Sequence, residues 1–501
     1  MLYLVLRDMI QRLSFAPMRK TVDGNPPRPT VTKVPTGIPG LDEITRGGLP
    51  AGRPTLVCGG PGSGKTLLGI TFLVNGAVRF DEPGVLMSFE ENAEELAQNV
   101  GSLGFDLAGL VEDKKLVVDY VHVDRSEIEE TGEYDLEGLF VRLEHAVNSV
   151  GAKRVLLDTI ESLFAGLENE TILRAELRRL FRWLRDRNLT VVITGEKGET
   201  TLTRHGLEEY VTDAVIQLDH RVHDQISTRR LRVVKYRGSH HGTNEYPFLI
   251  DEDGVGVLPV TSLSLQHAAS SERVSSGLAP LDEMLGGEGY YRGSTVLVSG
   301  TAGTGKTTLA AHFVDAACKR GDRSLYFLFE ESPQQMLRNM RSAGIDLEPC
   351  VDGGLLQFHA DRPSRYGLET HLVMMHRAVE RFRPNVVVID PMTNLLAVGT
   401  QADVRAMLTR MIDFLKMQNI TALFTSLTSH GGDLETTETI ISSLMDTWVL
   451  TSLEEVDRRR KRWIYVLKAR GLAHSDEMRE FRITDDGVDI RPTHNAERAG
   501  S

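Results

Sequence analysis

Two tandem α/β domains, each a mostly parallel twisted sheet covered by helices, are the fold class this sequence predicts. The first observation is the run Gly59-Gly60-Pro61-Gly62-Ser63-Gly64-Lys65-Thr66, which fits the phosphate-loop pattern G-x-x-x-x-G-K-[ST]. Gly300-Thr301-Ala302-Gly303-Thr304-Gly305-Lys306-Thr307 fits it again in the second half. The second observation is constant spacing. Lys65 and Lys306 are 241 positions apart, and the acidic pairs Glu90-Glu91 and Glu330-Glu331 are 240 apart, as a duplicated domain requires. The third is the alternation of strand-length apolar runs with helical periodicity, which is the pattern of a parallel sheet flanked by helices.

The elements follow in chain order. Proline-rich Asn25-Pro26-Pro27-Arg28-Pro29 marks residues 1–30 as an extended, poorly ordered leader. A first domain is expected over 31–262, a second over 263–490 and a short tail over 491–501. Each loop has a similar lead-in, Thr36-Gly37-Ile38-Pro39-Gly40-Leu41-Asp42-Glu43 in one half and Ser276-Gly277-Leu278-Ala279-Pro280-Leu281-Asp282-Glu283 in the other. Strands are predicted over 55–58 and 295–298, feeding the loops, and over 85–89 and 324–329, each ending in its acidic pair. Buried-strand runs at 154–158 and 386–390 end in Asp158 and Asp390, the form of a Walker B strand. Core strands over 191–194 and 422–425 are predicted without any chemistry assigned to them. Helices are expected over 93–100, 334–340 and 170–187. In the last, Arg174, Arg178, Arg179, Arg182 and Arg185 read as a solvated face.

Composition narrows the function. At 501 residues the chain exceeds one typical core. Its 57 basic and 70 acidic residues give a net charge of −13, which argues against a surface built for nonspecific nucleic-acid binding. Cys58, Cys318 and Cys350 lack metal-like spacing, so a reducing, cytoplasmic setting is expected. Arg7 and Asp8 interrupt the apolar run Leu2-Tyr3-Leu4-Val5-Leu6 long before a membrane span is reached.

The motifs specify their chemistry. Glycines let the backbone curl so that N–H groups converge on phosphate oxygens, and the helix that follows adds its positive end. The expected ATP contacts are Gly59, Gly60, Gly62, Ser63, Gly64, Lys65, Thr66 and Leu67, with Gly300, Thr301, Gly303, Thr304, Gly305, Lys306, Thr307 and Thr308 in the second half. Lys65 and Lys306 reach the terminal phosphates. Thr66 with Asp158, and Thr307 with Asp390, are the expected Mg2+ ligands. Within Glu90-Glu91 and Glu330-Glu331, one carboxylate is expected to orient and deprotonate a nucleophile while its neighbour tunes the charge. Solvated acids opening a helix are the plainer reading, and recurrence at one offset weighs against it.

These residues resemble the KaiC family of RecA-superfamily ATPases and autokinases over about 34–490. The likeness rests on Gly47-Gly48-Leu49-Pro50, Ser88-Phe89-Glu90-Glu91, Gly104-Phe105-Asp106-Leu107, Lys235-Tyr236-Arg237-Gly238 and Glu245-Tyr246-Pro247-Phe248. In the second half it rests on Phe329-Glu330-Glu331-Ser332, Lys468-Ala469-Arg470-Gly471 and Arg479-Glu480-Phe481. The resemblance implies tandem RecA-like P-loop NTPase domains in a homo-hexameric double ring, with ATP between subunits. It also implies that Lys235, Arg237, Lys468 and Arg470 reach the neighbour's phosphates; taken alone, these residues are two basic pairs alternating along strands.

The segment Thr437-Glu438-Thr439-Ile440-Ile441-Ser442-Ser443-Leu444-Met445-Asp446-Thr447 resembles the family's autophosphorylation segment, so Ser442 and Ser443 are the implied acceptors, with Glu330 as base. Thr200, Thr201 and Thr203 are not aligned acceptors in the first half, which is expected to hydrolyse ATP. Pro391 stands where the family commonly has serine, and Ala397 where clock members often have arginine. The short tail after Ile490 makes a KaiA partner doubtful, leaving a KaiB-like or signalling partner. A RecA-like DNA-dependent motor and an ATP-gated interaction hub without kinase activity are the competing function classes.

Overall fold

The computed structural model describes residues 31–121, 137–163, 170–198, 203, 212–223, 226–252, 254–259, 270–428, 443–456 and 458–491. The expected leader over 1–30 and Ser442 lie outside these residues, as does all but the first residue of the expected tail.

The first half opens with a ribbon of β1 (Lys33–Val34) and β2 (Leu49–Pro50). There follow β3 (Pro54–Gly59), β4 (Gly84–Ser88), β5 (Leu116–Tyr120), β6 (Arg154–Asp158), β7 (Thr190–Glu196), β8 (Ala214–His223), β9 (Ile226–Tyr236), β10 (Glu245–Asp251) and β11 (Gly254–Val257). The second half repeats the series. Its ribbon is β12 (Arg273–Val274) with β13 (Tyr290–Tyr291), and its sheet strands are β14 (Thr295–Gly300), β15 (Ser324–Leu328), β16 (Leu356–Ala360), β17 (Val386–Asp390), β18 (Thr421–Leu427), β19 (Thr447–Val456), β20 (Arg459–Ala469), β21 (Arg479–Thr484) and β22 (Gly487–Arg491).

Each half forms a nine-stranded sheet, ordered β11-β10-β9-β8-β3-β7-β6-β4-β5 and β22-β21-β20-β19-β14-β18-β17-β15-β16. Position for position the two orders are the same. From β8 to β5 the neighbours are parallel, and β9, β10 and β11 extend the sheet by antiparallel pairing. Both faces are covered, which is why the parallel strands are apolar throughout rather than alternating. Leu56, Val85, Val155 and Val191 pack against Leu177, Leu180 and Leu184 of the helix Glu170–Asp186. Val57, Leu86, Leu156 and Val192, one position along, pack on the other face with Leu68 and Phe72 of the helix Lys65–Arg79. Each fully buried side chain of this kind contributes about 1.5–3 kcal/mol.

The five arginines of the helix Glu170–Asp186 are exposed, as a solvated face requires, and two of them also form ion pairs. Arg179 pairs with Glu137 at 2.5 Å and Arg185 with Asp213 at 3.7 Å. Between the halves, Arg230 pairs with Glu369 and Arg377 with Asp251. Leu258, at the end of the first half, is buried in the core of the second.

Candidate nucleotide sites

Each phosphate loop leaves the carboxyl end of a central strand. At Gly59 a Cβ would stand 2.6 Å from Leu218 O of β8, so the close approach of the neighbouring strand requires glycine. Gly64 and Gly305, at φ 96° and 93°, turn the chain into the helices Lys65–Arg79 and Lys306–Lys319. Lys65 Nζ donates to Gly59 O at 3.0 Å and Gly60 O at 3.1 Å, and Lys306 Nζ donates to Gly300 O and Thr301 O, both at 2.8 Å. Ser63 Oγ and Thr301 Oγ1 are shielded from solvent with no hydrogen-bond partner among the described residues. Free hydroxyls and a lysine parked on loop carbonyls fit a site whose missing acceptors are phosphate oxygens.

The Walker B aspartates lie two strands away from the loop strands, and the strand between supplies their partner. Register places Leu157 beside Ile193; Thr194, next in β7, donates its hydroxyl to Asp158. Thr425 does the same for Asp390. The runs over 191–194 and 422–425, to which no chemistry was assigned, therefore carry the hydroxyls that hold these carboxylates. Burial raises the Asp158 pKa, opposed by hydrogen bonds from Thr194 and Thr66. That Thr66 contact brings the expected threonine and aspartate ligands of Mg2+ together in the first site. In the second, Tyr326 Oη donates to Asp390 Oδ2 at 2.7 Å, and burial together with the aspartate's charge pushes the phenol well above its usual pKa.

Within each acidic pair the two carboxylates take different hydrogen-bond partners. Glu90 Oε1 accepts from the hydroxyls of Thr159 at 2.7 Å and Ser162 at 2.8 Å, both just after the Walker B strand. Glu330 Oε1 accepts from Asn394 Nδ2 at 3.2 Å, in the corresponding place. Glu91 and Glu331 instead accept from Asn99 and Asn339 on the helices that follow, each at 3.1 Å. Neither pair caps those helices. Asn92 and Ser332 do so, through reciprocal capping boxes. Thr159, Ser162 and Asn394 were invisible to motif reading, because they matter only through the fold that carries them to Glu90 and Glu330.

The basic pairs sit at the other end of each sheet. The strands end at Tyr236 and Ala469, and Arg237 and Arg470 are the residues that immediately follow. Arg237 N donates to Asp213 O, and Asp213 N to Pro54 O at the start of β3. Arg470 N donates to Asp446 O, and Asp446 N to Thr295 O at the start of β14. The chain's own loops begin at the opposite ends of β3 and β14, about 17 Å away by strand rise. Lys235 and Lys468 are half-buried, and Arg237 and Arg470 are exposed. Burial first and Arg470 second lower the Lys468 pKa. Arg470 also donates to Ser443 O at 2.7 Å.

Two phosphate loops at the carboxyl ends of parallel strands, each with a strand-end aspartate and a held carboxylate, define a tandem RecA-like P-loop nucleotide-binding protein. A family model described as "ATPase: KaiC" matches residues 34–262 and 274–495, and the chain belongs to the KaiC family of ATPases. It is 57% identical to circadian clock protein KaiC2 of Synechocystis sp., with 92% of this chain and 82% of that protein covered. It is 37% identical to circadian clock oscillator protein KaiC of Synechococcus elongatus, covering 95% of this chain and 92% of that one. The corresponding protein of Acaryochloris marina is 38% identical, with 93% of this chain and 90% of that one covered. Among the described residues no helix is long and apolar enough to cross a membrane.

Proposed function

We propose that this protein is a cytoplasmic ATPase and serine autokinase, acting in circadian-type timing or related signalling, as a double-ring homo-hexamer with nucleotide completed between neighbours. One observation supports the kinase half above others. Arg470, at the end of the sheet remote from its own loop, holds the backbone of Ser443. The proposed acceptor and the proposed trans-acting cation thus share one edge of the subunit. In the proposed ring a neighbour's ATP would be the phosphoryl donor.

In the first site Lys65 exchanges its loop carbonyls for the terminal phosphate, and Glu90, oriented by Thr159 and Ser162, takes a proton from the attacking water. In the second, Glu330 takes the proton from the hydroxyl of Ser442 or Ser443 as the serine oxygen attacks the γ-phosphorus and ADP leaves. Lys235, Arg237, Lys468 and Arg470 stabilise the developing charge from the adjacent copy. Bound through Thr66 with Asp158, and Thr307 with Asp390, Mg2+ supplies charge neutralisation at the phosphates. A KaiB-like or signalling partner that reads the phosphorylation state completes the proposal.

Mass-spectrometric mapping after incubation with Mg2+ and ATP tests it. Phosphate at Ser442 or Ser443, lost in Glu330→Gln, is the expected result. A folded oligomer that consumes ATP without modifying either serine would remove the kinase and leave the ATPase.

A further inference from the structure

The two sites differ at one buried position. Three residues after Asp158 the first half has Glu161, and three after Asp390 the second has Thr393. Both accept a backbone N–H from the end of the neighbouring strand, Glu161 Oε1 from Glu196 at 2.7 Å and Thr393 Oγ1 from Leu427 at 3.4 Å. Glu161 is 9% exposed. Gly195 leaves it room, since a Cβ there would stand 3.0 Å from its Oε1. Its Oε2 is buried with no hydrogen-bond partner among the described residues. The charges that act on it through space are Glu196 of β7, which raises its pKa, and Lys65 of the loop helix, which lowers it. The hydrogen bonds continue into the loop. Lys197, the residue after Glu196, gives its N–H to Gly59 O at 3.1 Å, the same carbonyl that Lys65 Nζ holds.

We propose that Glu161 is a positioning residue that sets how readily Lys65 leaves the loop carbonyls for the terminal phosphate of ATP, and that only the first site has this control. An ionised Glu161 draws the Lys65 ammonium back and repels incoming phosphates, whereas a protonated Glu161 does neither. Burial pushes its pKa up to about 7. The ionised form therefore grows as pH rises through neutrality, and ATP binding at the first site weakens in the same direction. Thr393 has no charge to lose, so the second site does not follow.

The inference rests on the reading of the first loop as an ATP site. Its test uses the full chain carrying Lys306→Ala, titrated with a fluorescent ATP analogue and Mg2+. With Glu161 present the Kd should rise about fivefold between about pH 6 and about pH 8. With Glu161→Gln it should stay flat at the tighter value, because the amide keeps the acceptor for the Glu196 N–H and cannot ionise. Glu161→Thr should also be flat, at a lower Tm. Coincident Kd profiles for Glu161 and Gln, whatever their Tm, would overturn the proposal. Binding that Lys65→Ala leaves undiminished would instead remove the underlying reading, and the inference with it.

Discussion

Glu90→Gln isolates the proposed base of the first site with little structural disturbance. The substituted side chain keeps an oxygen where Glu90 Oε1 accepts from Thr159 at 2.7 Å and Ser162 at 2.8 Å. Its position is held, while its capacity to take a proton is lost. A positioned general base contributes about 10²–10⁴-fold to rate, or about 3–5 kcal/mol of barrier. First-site turnover should fall by that factor, with the Kd for ATP close to that of the unsubstituted chain. Thr159→Val removes one of the two bonds that aim the carboxylate and leaves the other, so a smaller loss of about tenfold is expected. Steady-state phosphate release from the full chain, beside Glu330→Gln as the counterpart, reads all three variants. If the first site carries most of the hydrolysis, Glu90→Gln removes most of the signal and Glu330→Gln little. Wild-type turnover in a folded Glu90→Gln protein would refute the assignment of Glu90 as the base.

Two further perturbations address the scaffold. Arg154 is fully buried at the head of β6, donating to Glu82 at 2.7 Å and to Phe72 O and Pro35 O at 2.9 Å. Arg154→Ala should cost about 3 kcal/mol, at the low end for a broken buried pair because Glu82 can rehydrate, and denaturant unfolding of the first half would register it. Burial pushes the Asp446 pKa up, yet Lys416 at 2.8 Å and the Thr295 amide and hydroxyl bring it below the usual carboxylate value. A depressed folded pKa gives stability that is complete above the unfolded value of about 3.9 and lost as pH falls through the folded one. The Tm of Asp446→Asn should therefore fall less than that of the parent between about pH 6 and about pH 3.

Much of the fold was legible because both halves say the same thing. The loop glycines, Walker B aspartates and acidic pairs are contiguous motifs whose geometry is local. The strands that carry them are apolar enough to be recognised without partners. What escaped reading was set by register across the sheet. Thr194 and Thr425 look like ordinary strand residues until β6 and β7, or β17 and β18, lie side by side. Tyr326 reads as core, and only its hydroxyl reaching Asp390 gives it a role. Glu161 is hidden for the opposite reason, since an acid three residues after a strand looks like a helix-opening residue on the surface. Its burial depends on Gly195 and on the turn that carries it back toward the loop.

In the proposed ring a cation at the amino end of one sheet meets a phosphate loop at the carboxyl end of the next, a head-to-tail contact with an arithmetic of its own. In an open row of copies the last loop has no donor and the first donor has no loop. Closure alone gives every loop a partner. Because one polypeptide would carry the arrangement twice, both tiers of the proposed ring would have to close with the same number of copies. A break in either tier would then leave incomplete sites in the other, and the duplicated chain would act as a common gauge of completeness for both.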